Sequence, residues 1–178
     1  MQEIHSCSFT GHRSIKKTHE KEIGALVMRA IEYAYSRGCR EYYTGGALGF
    51  DTVAARQVLL FKISHPDITL GLLLPCKNQD KNWSESERDA YNYILKHADF
   101  SEFFSDSYTD DCMKKRNTAL AERADILVAY VFREYSGAGQ TVRIAKKLGK
   151  EVYNIYPSLE KCGTDQNKTA QKASSEEK

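Results

Sequence analysis

The chain has 178 residues, 41% of them apolar, 11% aromatic and 28% charged. Those proportions suit one globular domain and are too apolar for a disordered polymer. Lys and Arg number 26 against 24 Asp and Glu; a balance of +2 excludes a strongly basic nucleic-acid-binding domain and leaves room for a local basic pocket.

Along the chain, short strand-like runs alternate with helix-like segments. Ile4–Phe9 predicts a strand. From Thr18 to Arg37 the residues Ile23, Leu26, Val27, Ala30, Ile31 and Ala34 keep the i, i+3, i+4 stripe of an amphipathic helix, and Gly38 supplies its stop. Arg40–Thr44 predicts a second strand and Asp51–Ile63 a helix, ended by His65-Pro66. Ile68–Leu74 is almost continuously apolar, as a parallel strand covered on both faces requires. Ser84–Ala98 predicts a helix, with Ser84 and Glu87 at capping-box spacing. Phe100–Phe104 is a strand, Asp110–Arg123 a helix, Ile126–Phe132 a second buried-type strand, Ala138–Leu148 a helix and Glu151–Ile155 a last strand. Strict alternation predicts an α/β fold: a doubly wound, mostly parallel, Rossmann-like sheet of about six strands with helices on both faces.

Residues 1–157 form the expected domain. Residues 158–178 hold one Leu, no aromatic residue, four Lys and four acids, too little apolar area to offset the entropy of ordering, so a disordered tail is expected there. The five cysteines stand 32 or more residues apart with no CxxC pair; no metal site is expected, and a reducing, cytoplasmic setting suits an odd, scattered set. Neither a leader-type N-terminus nor an apolar run long enough for a membrane span occurs, so no membrane partner is expected.

In an open parallel sheet, ligands bind beyond the carboxyl ends of the strands. The loops there are the unusual ones. Strand one exits into Thr10-Gly11-His12-Arg13, strand two into a segment holding Gly45, Gly46, Gly49, Asp51 and Thr52, and strand five into Ser136-Gly137-Ala138-Gly139-Gln140-Thr141. Glycines that lack Cβ let backbone N–H groups approach an anion at a helix N-terminus, although a tight strand-to-helix turn needs glycine too. Arg13 can fork to a phosphate or carboxylate. Arg116-Asn117 lies in the helix before strand five, where the Lys114–Arg116 run also reads as a solvated face. Asp51 suits a helix N-terminus or a ribose hydroxyl, His12 a hydrogen-bonding role or acid/base work, and Trp83 either base stacking or cover for the sheet end. No GK[ST], GxGxxG or GxSxG is present, which disfavours a P-loop NTPase, an ordinary dinucleotide dehydrogenase and a serine hydrolase.

Five segments in order resemble the YpsA-like branch of the SLOG superfamily, a Rossmann-like group that includes the DprA and LOG proteins: SFTGHR, GGALGFDTVAA, LPCKNQDKNW, CMKKRN and SGAGQTVRIAKKLGK. The resemblance implies a nucleotide-type ligand at this rim and a homodimer or larger homo-oligomer. It implies that Arg116 matches the catalytic Arg of the LOG phosphoribohydrolases, while Gly137, Gly139 and Thr141 partly match their PGGxGTxxE motif. No Glu follows Thr141, so the carboxylate that LOG hydrolysis uses is missing. The expectation is a module that binds or senses a small phosphorylated nucleotide, ADP-ribose- or NAD-like, through Thr10, Gly11, His12, Arg13, the glycine loops, Asp51, Thr52, Arg116, Asn117, Ser136 and Thr141. The alternative is a hydrolase of the N-glycosidic or phosphate bond of such a ligand. Near-neutral charge and few exposed aromatic candidates lead to the further expectation of no nucleic-acid partner.

Overall fold

The structure, a computed structural model, describes residues 4–161. Six parallel strands, β1 (Ser6–Gly11), β2 (Glu41–Thr44), β3 (Thr69–Leu74), β4 (Phe100–Phe103), β5 (Ile126–Tyr130) and β6 (Glu151–Asn154), lie in the order β4-β3-β2-β1-β5-β6. Between them run α1 (Ile23–Ser36), α2 (Phe50–Lys62), α3 (Glu85–His97), α4 (Cys112–Arg123) and α5 (Gly137–Lys147). The chain builds outward from β1 to β4, then returns to β5 beside β1 and reverses direction. That reversal is a topological switch point, with a crevice between the ends of β1 and β5. Register there is Thr10↔Ala129 and Gly11↔Tyr130.

Period-2 alternation assigns the faces of β1. Cys7 and Phe9 join Tyr42, Val27, Ile31, Phe50 and Val58 in the larger core beneath α1 and α2. Ser6, Ser8 and Thr10 point the other way, and Ala121, Leu127 and Ala145 form a smaller cluster where α4 and α5 cover β5. β5 is buried throughout and β3 nearly so, as their unbroken apolar sequences require. Four described cysteines, Cys7, Cys39, Cys76 and Cys112, are free and buried, and burial pushes the Cys39 thiol up to about 12. Among the described residues no helix is long and apolar enough to cross a membrane.

Two boundaries depart from the sequence expectation by more than two residues. The helix expected from Thr18 begins at Ile23, preceded by a 3-10 turn at Lys17–His19. His19 is buried in aromatic and hydrogen-bonding contacts, so the chain is bent here before the apolar stripe begins. At the other end, residues 156–161 are helical and Leu159 is only 1% exposed. A single apolar residue in a polar stretch seats this turn where composition predicted disorder. The rest of the expected tail, 162–178, lies outside the described residues.

Candidate functional site

A cleft of about 320 Å³ opens at the switch point. Thr10–Ser14 line it from the exit of β1, Ala47 and Asp51 from the β2 exit, Met113, Arg116, Asn117 and Leu120 from α4, and Arg133, Ser136, Gly137 and Ala138 from the β5 exit. Nine of the residues singled out in the sequence meet there: Thr10, Gly11, His12, Arg13, Asp51, Arg116, Asn117, Ser136 and Gly137. Gly45, Gly46, Gly49, Thr52, Gly139 and Thr141 do not line it.

The excluded residues are spent internally. The Thr52 hydroxyl donates to the Ala47 carbonyl at 3.0 Å, and Thr141 donates to the Gly137 carbonyl at 3.2 Å. A Cβ on Gly45 would stand 2.1 Å from Arg116 Nη1, and one on Gly139 2.0 Å from the Glu134 carbonyl oxygen. Gly49 has φ +76 and would place its Cβ 2.1 Å from the Arg13 carbonyl oxygen. Close packing, rather than approach to a ligand, requires glycine at these positions.

Arg116 and Asp51 form a buried pair, each about 6% exposed at the side chain and 3.8 Å apart from Nη1 to Oδ2. Arg116 Nη1 donates to the Gly45 carbonyl at 2.5 Å and its Nε to Asn117 Oδ1 at 2.9 Å. Asn117 Nδ2 in turn donates to the Gly137 carbonyl at 3.3 Å. This relay ties the β2 exit through α4 to the first turn of α5. Asp51 accepts the Ala47 N–H at 3.2 Å. Burial pushes its carboxyl up, and Arg116 and the backbone donors bring it only part of the way back. Arg116 is thus largely occupied in holding the site together, where the sequence suggested a direct ligand anchor.

His12 resolves as a hydrogen-bonding residue. Its Nε2 accepts the N–H groups of Phe132 and Arg133, at 3.1 and 3.2 Å, which requires the neutral ring. Burial lowers its pKa, and the Arg133 charge adds to the effect. Ser136 caps α5, accepting the Gly139 N–H at 3.0 Å. Trp83 packs edge-on against Tyr91, 5.4 Å between centroids, and covers the core without lining the cleft.

Sequence reasoning missed Arg133. It stands in a strand-exit loop like the residues it joins, but the glycines and hydroxyls after it carried the stronger signal. Arg13 and Arg133 are exposed and, among the described residues, have no ion-pair partner. The Thr10 hydroxyl, on a residue 4% exposed, lines the cleft and has no hydrogen-bond partner among the described residues. Three arginines against one aspartate leave the lining with two net positive charges. Among the described residues no group of three His, Cys, Asp or Glu is placed to hold a metal ion.

A doubly wound parallel sheet with a polar cleft at its switch point defines a Rossmann-like α/β protein. Residues 8–157 match the model of the YspA SLOG family, and the chain belongs to that family. It is 30% identical over 156 residues to a UPF0398 protein of Halalkalibacterium halodurans, covering 85% of this chain and 78% of that one. A UPF0398 protein of Bacillus thuringiensis is 28% identical over 150 residues, covering 82% and 77%. Among solved structures, DNA processing protein A (DprA) of Streptococcus pneumoniae superposes with a TM-score of 0.59 at 15% identity, over 84% of this chain and 49% of that one. The same protein of Helicobacter pylori, described as binding single-stranded DNA, gives 0.57 at 19% identity, over 83% and 63%. The chain therefore spans about half of one DprA and under two thirds of the other. This likeness corrects the expectation that excluded a nucleic-acid partner. Net charge averages over the whole surface, whereas the unpaired arginines here are concentrated at one rim.

Proposed function

We propose that the cleft binds a compact anionic ligand of the phosphorylated-nucleotide type. The observation that carries this reading is the convergence of two unpaired arginines, Arg13 and Arg133, with the free Thr10 hydroxyl and the first turn of α5 on one cleft. Guanidinium groups and a helix N-terminus both favour phosphate. At about 320 Å³ the cleft lies near the lower end of the usual ligand range of about 300–1,000 Å³. That size favours a single phosphorylated nucleoside over the larger ADP-ribose- or NAD-like molecules. Binding without turnover suits the chemistry present. The one carboxylate in the lining, Asp51, is paired with Arg116, and the His12 lone pair is taken by two N–H groups. Homo-oligomer formation, implied by the family resemblance, belongs to the same proposal.

The test is a nucleotide panel read by melting temperature, with mass spectrometry of the recovered ligand. Stabilisation by nucleoside monophosphates, lost in Arg133→Ala and with the ligand recovered intact, supports the reading. No stabilisation by any nucleotide overturns it, and release of free base or ribose phosphate replaces it with the hydrolase.

A second reading rests on a separate observation. Tyr135 is 93% exposed at the same rim, with Arg143 5.8 Å from its ring and Arg133 two residues earlier. An exposed aromatic among cations is the stacking platform that single-stranded nucleic acid uses. Anisotropy of a labelled oligothymidine tests it: binding that weakens with salt and falls in Tyr135→Ala supports a nucleic-acid role, and no binding at low salt removes it.

A further inference from the structure

The loop that carries Arg13 into the cleft is held from outside the cleft, by the short helix at 156–161. Tyr130, at the end of β5, is the hub. Its hydroxyl accepts the Lys16 backbone N–H at 3.2 Å and meets His19 Nδ1 at 2.9 Å. His19 Nε2 lies 2.8 Å from Glu160 Oε1, and Lys16 Nζ lies 3.0 Å from the same oxygen. The assignment that satisfies every donor has the Tyr130 hydroxyl donating to Nδ1 and Nε2–H donating to Glu160. Lys16 Nζ also bonds the Tyr156 hydroxyl. Tyr156 packs on Phe132 at 5.1 Å between centroids, and Phe132 packs on His12 at 4.1 Å. The contacts therefore run without a gap from Glu160 to a residue of the cleft. The family match ends at residue 157, so Glu160 stands beyond it.

We propose that residues 156–161 are a latch on the cleft and that Glu160 is the positioning residue that closes it. The proposal rests on the reading of the cleft as an anion site. Of the contacts Glu160 makes with Lys16, the Tyr156 hydroxyl and His19, the one to His19 carries the effect. Lys16 and Glu160 are 42% and 46% exposed, a setting in which ion pairs contribute little. His19 is 1% exposed, and without the carboxylate its ring N–H loses a charge-assisted partner in a dry place. Leu159, buried beside it, seats the latch. Glu160 fixes where Arg13 stands without touching the ligand.

Glu160→Gln removes the charge and keeps the shape, so the fold is preserved; circular dichroism checks this. Hydrogen exchange of the amides of residues 12–19 is expected to quicken on the order of tenfold. Calorimetric affinity for adenosine monophosphate or inorganic pyrophosphate is expected to fall with it. Lys16→Met is expected to change both far less, and Glu160→Gln to keep its effect in that background. Unchanged exchange in Glu160→Gln overturns the latch, and quickened exchange with unchanged affinity overturns its coupling to the site. If the wild-type protein binds neither probe, the anion-site reading falls, and the exchange result alone decides whether Glu160 holds the loop.

Discussion

Two glycine loops face each other across the cleft, and they do different jobs. In the loop after β2, Gly45 makes room for the Arg116–Asp51 pair, Gly46 packs against Leu74, and Gly49 accepts φ +76 against the Arg13 backbone. None of the three lines the cleft. In the loop after β5, Gly137 lines it, and a Cβ there would meet only Asn117 Nδ2, at 3.5 Å. The first loop spends all three glycines on the wall, whereas the second splits its pair, Gly139 packed against the Glu134 carbonyl and Gly137 left at the opening. Identical residue types at equivalent strand exits are thus no guide to which loop meets a ligand.

The comparison breaks most visibly at the wall. Asp51→Ala leaves the Arg116 guanidinium buried beside Gly45 without a counter-charge, and breaking such a pair costs about 3–5 kcal/mol. Urea unfolding is expected to show that loss. A loss below 1 kcal/mol would mean that Arg116 does not depend on Asp51. The pH dependence has a defined sign. Burial raises the Asp51 carboxyl above its ordinary 3.8, so the folded state takes up its proton before the unfolded chain does. Relative to Asp51→Asn, the wild-type protein therefore gains stability as pH falls through the raised value, and the gain is complete below 3.8. The carboxylate at the opposite rim behaves inversely. Partial burial raises Asp125, but bonds from the His5 N–H and from the Ser6 hydroxyl and N–H outweigh it and hold the carboxyl low. Its contribution is present above the ordinary carboxylate range and is lost on acidification. Denaturation midpoints of Asp51→Asn and Asp125→Asn between neutral pH and pH 3 should diverge from the wild type in opposite directions.

Gly49→Ala ranks next. The added methyl meets the Arg13 carbonyl oxygen, which is backbone and cannot swing aside, at a positive φ that costs L residues roughly 1–2 kcal/mol by itself. A total loss of about 3 kcal/mol is expected once overpacking is added. Gly137→Ala is the matched control, with no such loss.

Why the sequence shows one feature and hides another follows from these residues. Strand and helix order was legible because each element carries its own period, down to Ser84, whose capping box forms as its spacing suggests. The bend at His19 and the turn at Leu159 were not legible, because each is set by tertiary packing: Tyr130 and Glu160, more than a hundred residues away, for His19, and the larger core for Leu159. The cleft was legible as a rim, since topology alone sends the exits of β1 and β5 to one place. Which rim residue faces inward was not, because Gly45 and Gly137, or Thr10 and Thr141, differ only in what stands opposite them. Arg133 illustrates the converse. Its loop position was visible, but only the fold brings it into one cleft with His12 and Arg13.

The cap on α5 should give a smaller change. Ser136→Ala removes the acceptor for the Gly139 N–H, and losing such a cap costs about 1 kcal/mol. Thermal unfolding should register a drop of several degrees with the ligand-free protein.

The smallest change in stability is the one that most sharpens the contrast between the loops. Gly137 is the first residue of α5 and its φ is not positive, so alanine fits the backbone. Losing the extra freedom of glycine in the unfolded chain stabilises the protein by about 0.4–1 kcal/mol where the site tolerates a methyl. The same methyl enters the cleft just where the helix N-terminus would meet a phosphate. Gly137→Ala is therefore expected to melt at or slightly above the wild-type temperature, yet to bind adenosine monophosphate on the order of tenfold more weakly, about 1.4 kcal/mol. Unchanged affinity with unchanged stability would place the anion on the Arg13–Arg133 side and remove α5 from its cradle. A fall in stability would instead make Gly137 part of the wall, like Gly45, and the distinction between the two loops would fail.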